Sequence, residues 1–398
     1  MDPILFIPGP VEISPSVRQA AAEPPLAHSS SAFVELFGEL VRRMRDVWRA
    51  GPDFQPFAFA GSGTLAMETA ACNLLDPGQT ALVMQTGIFG ERMSRILERR
   101  GVHVVRVTAE VGEAPSVARI AEVLDDEPVH AVFATHVDTS TAVRLDVRSV
   151  AELARKKDVL FVLDGVCAIG GEVCDQAGWG IDVVLAASQK ALGGPPGLAL
   201  LVMSPRALDA RRALRSPPPL AIDLEEWLPV HHALEGGLPS YFATPPTSVV
   251  RATVAALREI DLRETVARQA RVGAAMRSAW RALRLASVPP ETDAAHTLSA
   301  LWIPEGVRTA LPQALAAQGI LVAGPLHPSL KPRSFRVGHM GYLARRRDLL
   351  ERCVRTIGRV LVDEGHPSDV EGAVDAVDRE LPDSKREVDR HRLAARPY

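Results

Sequence analysis

The sequence predicts an α/β protein: a mostly parallel sheet flanked by helices, followed by a smaller α+β C-terminal domain. Two observations carry this. From about residue 80 to 203, short apolar segments rich in Val, Leu and Ala alternate with amphipathic helical segments, the pattern of a parallel sheet covered on both faces. After Met203 the alternation gives way to the Pro-rich link Ser216-Pro217-Pro218-Pro219, a long helical stretch, and then a mixture of strand and helix patterns.

Taken in order, residues 1–20 read as an arm, because the apolar run at Ile4 is cut by Pro8-Gly9-Pro10. The large domain is assigned to 21–247. Its first helix, 31–50, places Phe33, Leu36, Phe37, Leu40, Val41, Met44, Val47 and Trp48 on one stripe, and Gly51-Pro52 stops it. A short strand at 57–60 runs through Gly61-Ser62-Gly63-Thr64 into a helix. Strands follow at 80–87, 103–108, 131–136, 159–164, 182–188 and 198–203, with helices at 90–100, 116–124 and 147–157 between them. A loop spans Glu235 to Pro246, and 248–284 reads as one connecting helical stretch. The small domain, 285–363, has strands at 298–303, 320–323 and 334–337 and helices at 308–318 and 345–362. The remainder, 364–398, is a charged extension whose residues Ser368 and Glu371 suit a capping box, with Val370, Ala373, Val374, Val377 and Leu381 on one face. It reads first as a solvated tail, with docking on the body or on a partner as the alternative.

Composition narrows the class. A chain of 398 residues, 47% hydrophobic and 23% charged, can bury a sizeable core. A formal net charge of −3 offers no basic face to nucleic acid or to an anionic membrane. No segment approaches the ~18 apolar residues of a membrane span, and the N-terminus lacks the basic region of a secretion signal. Cys72, Cys167, Cys174 and Cys353 show no C-x-x-C spacing and read as reduced thiols, so we expect a cytoplasmic protein. His231-His232 has no partner at metal spacing and reads as a pair of loop histidines.

Function should lie at the carboxyl ends of the strands, where open α/β sheets bind ligands. Those ends are polar or small: Gly61-Ser62-Gly63-Thr64, Thr86 to Phe89, His136 to Thr141, Asp164-Gly165 and Ser188-Gln189-Lys190. Taken singly, Lys190 is a surface lysine past a core strand and Gly61 to Thr64 a tight turn. Taken together they supply a lysine that burial could turn into a nucleophile, a carboxylate 26 residues before it, an aromatic ring and a helix start suited to phosphate. These are the parts that hold pyridoxal 5′-phosphate: Lys190 binds it covalently, Asp164 pairs with its pyridine nitrogen, Phe89 covers its ring, and Ser62, Gly63 and Thr64 take its phosphate.

The run Ser188 to Leu192 with Pro195-Pro196-Gly197, together with Leu163-Asp164-Gly165, Gly61 to Thr64 and His136-x-Asp138-Thr139-Ser140-Thr141, closely resembles the class V aminotransferases, in the alanine–glyoxylate and serine–pyruvate branch. The likeness spans about 4–362. It implies the type I fold of pyridoxal-phosphate enzymes and a homodimer with shared active sites. Lys190 then matches the cofactor lysine and acid/base, Asp164 the pyridine partner, Gln189 a neighbour of the phosphate and Thr139 a ligand on the ring-hydroxyl side. Tyr241 and Thr244 match a segment that reaches the phosphate of the other subunit. Arg336 matches the arginine that grips the substrate carboxylate. The implied reaction moves an amino group from a small L-amino acid, alanine or serine, to a 2-oxo acid, glyoxylate or pyruvate.

Four positions depart from the family pattern. Phe89 stands where tryptophan is frequent, Asp138 where glutamate is usual and Ala142 where glycine is, and His28-Ser29-Ser30 replaces a His-Arg-Ser type segment, which leaves the donor open. The alternatives are a lyase or desulfurase on the same scaffold and a non-catalytic protein that only binds the cofactor. A desulfurase needs a mobile reactive cysteine, whereas Cys353 sits in an apolar helical pattern.

Overall fold

The computed structural model describes residues 3–308 and 310–381. In chain order its elements are β1 (Ile4–Phe6), α1 (Pro15–Ala22), α2 (Ser31–Trp48), β2 (Gln55–Ala60), α3 (Gly63–Leu74), β3 (Thr80–Gln85), α4 (Ile88–Arg99), β4 (His103–Thr108), α5 (Val117–Asp126), β5 (Ala131–Thr135), β6 (Val137–Asp138), β7 (Val143–Arg144), α6 (Val147–Lys156), β8 (Leu160–Asp164), α7 (Gln176–Trp179), β9 (Val183–Ala187) and β10 (Leu198–Met203). There follow α8 (Pro205–Arg212), α9 (Leu224–Glu235), α10 (Thr247–Arg258), α11 (Leu262–Ala282), β11 (Leu298–Trp302), α12 (Leu311–Ala317), β12 (Ile320–Val322), β13 (Ser334–Gly338), α13 (Arg347–Asp363) and α14 (Val370–Glu380).

Seven strands form the main sheet in the order β2-β10-β9-β8-β5-β3-β4. Only β10 runs against its neighbours, β2 and β9; the other pairings are parallel. The carboxyl ends of β2, β3, β5, β8 and β9 therefore share one edge. Buried strands need no polar face, so β8 and β9 are continuous apolar runs, and their register sets Thr135 beside Asp164 and Asp164 beside Leu185. Helices cover both faces: α2, α5, α6 and α10 pack one side, α3, α4 and α8 the other. A separate core joins α11, α13, α14 and the antiparallel pair β11 and β13.

Four sequence expectations are corrected. The stretch 248–284 is two helices, α10 and α11, because the side chain of Asp261 accepts from Glu264 N and starts a new helix there. Helix α9 lies between the Pro-rich link at 216–219 and the loop that begins at Glu235, so His231 and His232 are helical, not loop, residues. His231 is fully buried, with Nε2 3.0 Å from Ala58 N, and burial pushes its pKa down to about 4. The arm, taken to run to residue 20, is extended only in its first part, where β1 pairs in parallel with β12; from Pro15 it is helix α1, its first turn capped by Ser14. Finally, the tail docks as far as Leu381. Helix α14 buries Ala373, Val374, Ala376 and Val377 against α11 and α13, and its cap is Asp369 rather than Ser368. Residues 382–398 of that extension lie outside the described residues.

Candidate functional site

Lys190 leaves the end of β9 with its aliphatic stem buried. Its Nζ donates to Pro8 O at 2.5 Å, and Val11 N donates to Gln189 O at 3.2 Å, so the arm crosses the lysine on both sides. Burial pushes the Lys190 pKa down and so favours the neutral amine, with Arg336 acting in the same sense. Asp164, at the end of the adjacent strand, is also buried. Burial raises its pKa to about 7, opposed by the Val166 N–H at 3.0 Å on Oδ1 and by the fields of Arg92 and Lys190.

The turn at the end of β2 opens directly into helix α3. Ser62 caps α3 through Leu65 N at 3.4 Å, and Gly63 and Thr64, the first two helical residues, have amides with no carbonyl upstream in the helix. A Cβ on Gly63 would lie 3.0 Å from Val166 Cγ2 and 3.6 Å from Ala187 Cβ, so glycine lets the cradle press against the loop after Asp164. Thr64 Oγ1 accepts from Arg92 Nη1 at 2.9 Å, and the Arg92 guanidinium stands 4.7 Å from the centre of the Phe89 ring. Thr139 O accepts from Arg336 Nη1 at 2.9 Å, and Gly324 O accepts from Arg336 Nε at 3.0 Å. Strand β13 thus hands an arginine to the turn between β6 and β7.

These contacts link Lys190, Asp164, Phe89, Thr139, Arg336 and the Ser62–Thr64 cradle around one sheet edge. Tyr241 and Thr244 stand elsewhere within the protomer: the two hydroxyls are 3.3 Å apart, and the Tyr241 ring packs on His28, 5.0 Å between centroids. Sequence reasoning missed Pro8, Gly9 and Arg92. Gly9 had a local signal, between two prolines, but only the folded chain shows that a Cβ there would meet Lys190 Cδ at 2.5 Å. Ala142, where the family pattern has glycine, adopts φ 63°, the left-handed conformation that glycine accepts most readily.

The donor set fits pyridoxal 5′-phosphate. The carboxyl of Asp164 is buried opposite no ion-pair partner among the described residues, which suits a protonated ring nitrogen. Gln189 Oε1 is buried without a hydrogen-bond partner among the described residues. The cradle offers backbone N–H groups and a positive helix end to a phosphate.

Known proteins place the chain. Residues 33–331 match the family model for aminotransferase class V. The chain is 35% identical over 370 residues to alanine–glyoxylate aminotransferase 1 of Saccharomyces cerevisiae, covering 87% of this chain and 94% of that one. It is 31% identical to L-aspartate–glyoxylate aminotransferase of Paracoccus denitrificans, covering 85% and 86%. The crystal structure of an alanine–glyoxylate aminotransferase from Nostoc sp. superimposes with a TM-score of 0.84 at 28% identity, over 91% of this chain and 96% of that one. With the expected fold in place and the match covering residues 33–331, the chain belongs to the class V aminotransferases, enzymes that depend on pyridoxal phosphate.

Proposed function

We propose that this aminotransferase moves the amino group of a small L-amino acid, alanine or serine, to a 2-oxo acid, glyoxylate or pyruvate, in two half-reactions that share one site. The observation that carries the reading is Arg336. Its guanidinium is largely buried, held at Nε by the carbonyl of Gly324 and at Nη1 by that of Thr139, and has no carboxylate within ion-pair distance among the described residues. A buried fork held by neutral carbonyls is suited to the carboxylate that every amino and oxo acid carries.

When bound, pyridoxal 5′-phosphate supplies an aldehyde that takes up amines and a ring that draws electrons from the substrate carbon. Asp164 would keep the ring nitrogen protonated by offering it a buried carboxylate. Phe89 would cover a ring face, Thr139 would meet the hydroxyl side, and Ser62, Gly63, Thr64 and Gln189 would hold the phosphate. Lys190 would hold the cofactor covalently and, once released, its Nζ would be the group that takes up and gives back the proton of the substrate α-carbon. The depressed pKa of Lys190 suits that exchange, since only the neutral amine accepts a proton.

We place the enzyme in a homodimer in which Tyr241 and Thr244 reach the partner's phosphate. Leu220, Leu238 and Tyr241 are 65%, 64% and 59% exposed on the protomer, an apolar display that a partner would cover. We place it in the cytoplasm, where its four free thiols suit reducing conditions. The small L-amino acid choice follows the resemblance to alanine–glyoxylate enzymes.

The purified protein, loaded with the cofactor, should be yellow and should bleach to the pyridoxamine form on addition of L-alanine or L-serine, with glyoxylate or pyruvate restoring the colour. Pyruvate released from serine without an oxo acid would replace this reading with a lyase. A desulfurase finds no support, since Cys353 lies in α13 fully buried and burial pushes its thiol pKa up.

A further inference from the structure

We infer that Asp138 is a positioning residue for the active site: through one buried carboxylate it sets the places of Phe89, Thr139 and, by way of Thr139, Arg336. The inference rests on the roles proposed above for those three residues.

The geometry is a weld between two loops. Asp138 ends β6 and is fully buried. Its Oδ2 accepts from Phe89 N at 2.9 Å, while Oδ1 accepts from Ser140 N at 2.9 Å and from Ser140 Oγ at 2.6 Å. Ser140 Oγ in turn accepts from Ile88 N at 3.0 Å, and Thr141 Oγ1 donates to Thr86 O at 2.8 Å. The β3–α4 junction is thus fastened, at Thr86, Ile88 and Phe89, to the end of β6 and the turn after it, at Asp138, Ser140 and Thr141. Glycine permits the approach, because a Cβ on Gly87 would lie 2.3 Å from Ser140 Oγ and 2.7 Å from Asp138 Cγ.

The chemistry explains why a carboxylate is used. Helix α4 begins at Ile88 after a glycine, which can offer no side-chain cap. Its first N–H groups need acceptors and its positive end favours an anion, and Asp138 supplies both from another loop. Burial raises the Asp138 pKa while the Ser140, Phe89 and Gly90 donors lower it, and the charged groups facing it are Arg336 and Asp164. The same turn presents Thr139 O to Arg336. Loss of the carboxylate would free the ring, the hydroxyl-side ligand and the substrate clamp together.

The test compares Asp138→Asn, Ser140→Ala and Asp146→Ala with the wild type, each as cofactor-loaded enzyme. Asp146 caps α6 through Ser149 N and Ser149 Oγ outside the site, so it is the control for a lost cap. Asp138→Asn turns an amide toward donors and should weaken pyridoxal phosphate binding and raise the KM for the amino donor, lowering kcat/KM by roughly 10–100-fold. It should also diminish the visible circular dichroism of the bound cofactor, which reports ring orientation. Ser140→Ala keeps the carboxylate and should shift the same three readouts in the same direction by less, and it serves if Asp138→Asn does not fold. Asp146→Ala should lower Tm by roughly 1–3 °C and leave all three unchanged. Wild-type dichroism, cofactor affinity and KM in both site variants would overturn the inference while leaving the aminotransferase reading in place. A wild-type protein that takes up no pyridoxal phosphate would overturn both.

Discussion

Lys190 Nζ donates a hydrogen bond to the backbone carbonyl of Pro8, a contact across 182 positions of sequence, and Gly9 lies directly against the lysine stem. Gly9 has φ 109°, a conformation that side chains rarely adopt, and a Cβ there would stand 2.6 Å from Nζ. Gly9→Ala should therefore displace the lysine and lower kcat by roughly 10–100-fold. Steady-state kinetics of the loaded variant checks this, and an unchanged kcat would mean that the arm has no bearing on the lysine.

Lys190→Ala should lower turnover by about 10²–10⁴-fold or more, since it removes both anchor and proton carrier. The fold should persist, measured as an unchanged far-ultraviolet spectrum. Retained turnover would refute the assignment of Lys190.

Asp164 makes the stability of the cofactor-free protein depend on pH. Its pKa rises from 3.8 to about 7 on folding. An acid whose folded pKa is raised binds more protons folded than unfolded between those values, so stability is greatest below about pH 4 and declines as pH climbs through 7. Melting scans of cofactor-free wild type and Asp164→Asn from pH 4 to 8 should draw together at the acid end, with the variant gaining relative to wild type as pH rises to about 7 and no further above it. With the cofactor bound, the same substitution should instead weaken catalysis, because Asn cannot hold a protonated ring nitrogen by charge.

Arg336→Gln should raise the KM for donor and acceptor alike by roughly 10–100-fold, the loss of a charge-assisted pair of hydrogen bonds. Arg336→Lys should recover only part of this, because an ammonium cannot form the two parallel bonds. A change confined to one substrate would place the clamp elsewhere.

Helix α14 tests the docked extension apart from the chemistry. Val377 is fully buried against α11 and α13, so Val377→Ala should cost roughly 1–3 kcal/mol in denaturant unfolding while the cofactor spectrum stays as in wild type. No loss of stability would show that the extension packs only loosely.

The strands from 80 to 203 were legible because burial on both sides of a parallel sheet leaves long apolar runs with polar endings, as at β9 and Ser188. The cradle at Ser62, the carboxylate of Asp164 and the lysine were legible for the same reason. Helix boundaries were less so. The break before α11 depends on Asp261 and Glu264, a short capping signal inside an otherwise continuous pattern, and α9 carries Pro229, which argues locally against a helix that tertiary packing supports. Contacts between distant segments carry no local signal at all. Nothing near Arg336 in sequence points to Thr139, and nothing near Asp138 points to Phe89; both meetings follow from the order in which the sheet stacks its strands. His231 shows the converse hazard, a polar pair that looks free until a helix and strand β2 close around it.

The pairing of β1 with β12 has a consequence for the order of assembly. Ile4 meets Ile320, and until that strand exists the first residues have nothing to pair with. Residues 4–6 thus wait on residues 320–322 for a partner, and the Pro8 carbonyl that accepts from Lys190 follows directly on that strand. A chain cut before β12 would leave β1 unpaired, so a strand pair remote in sequence from Lys190 bears on the reaction centre as well as on the fold.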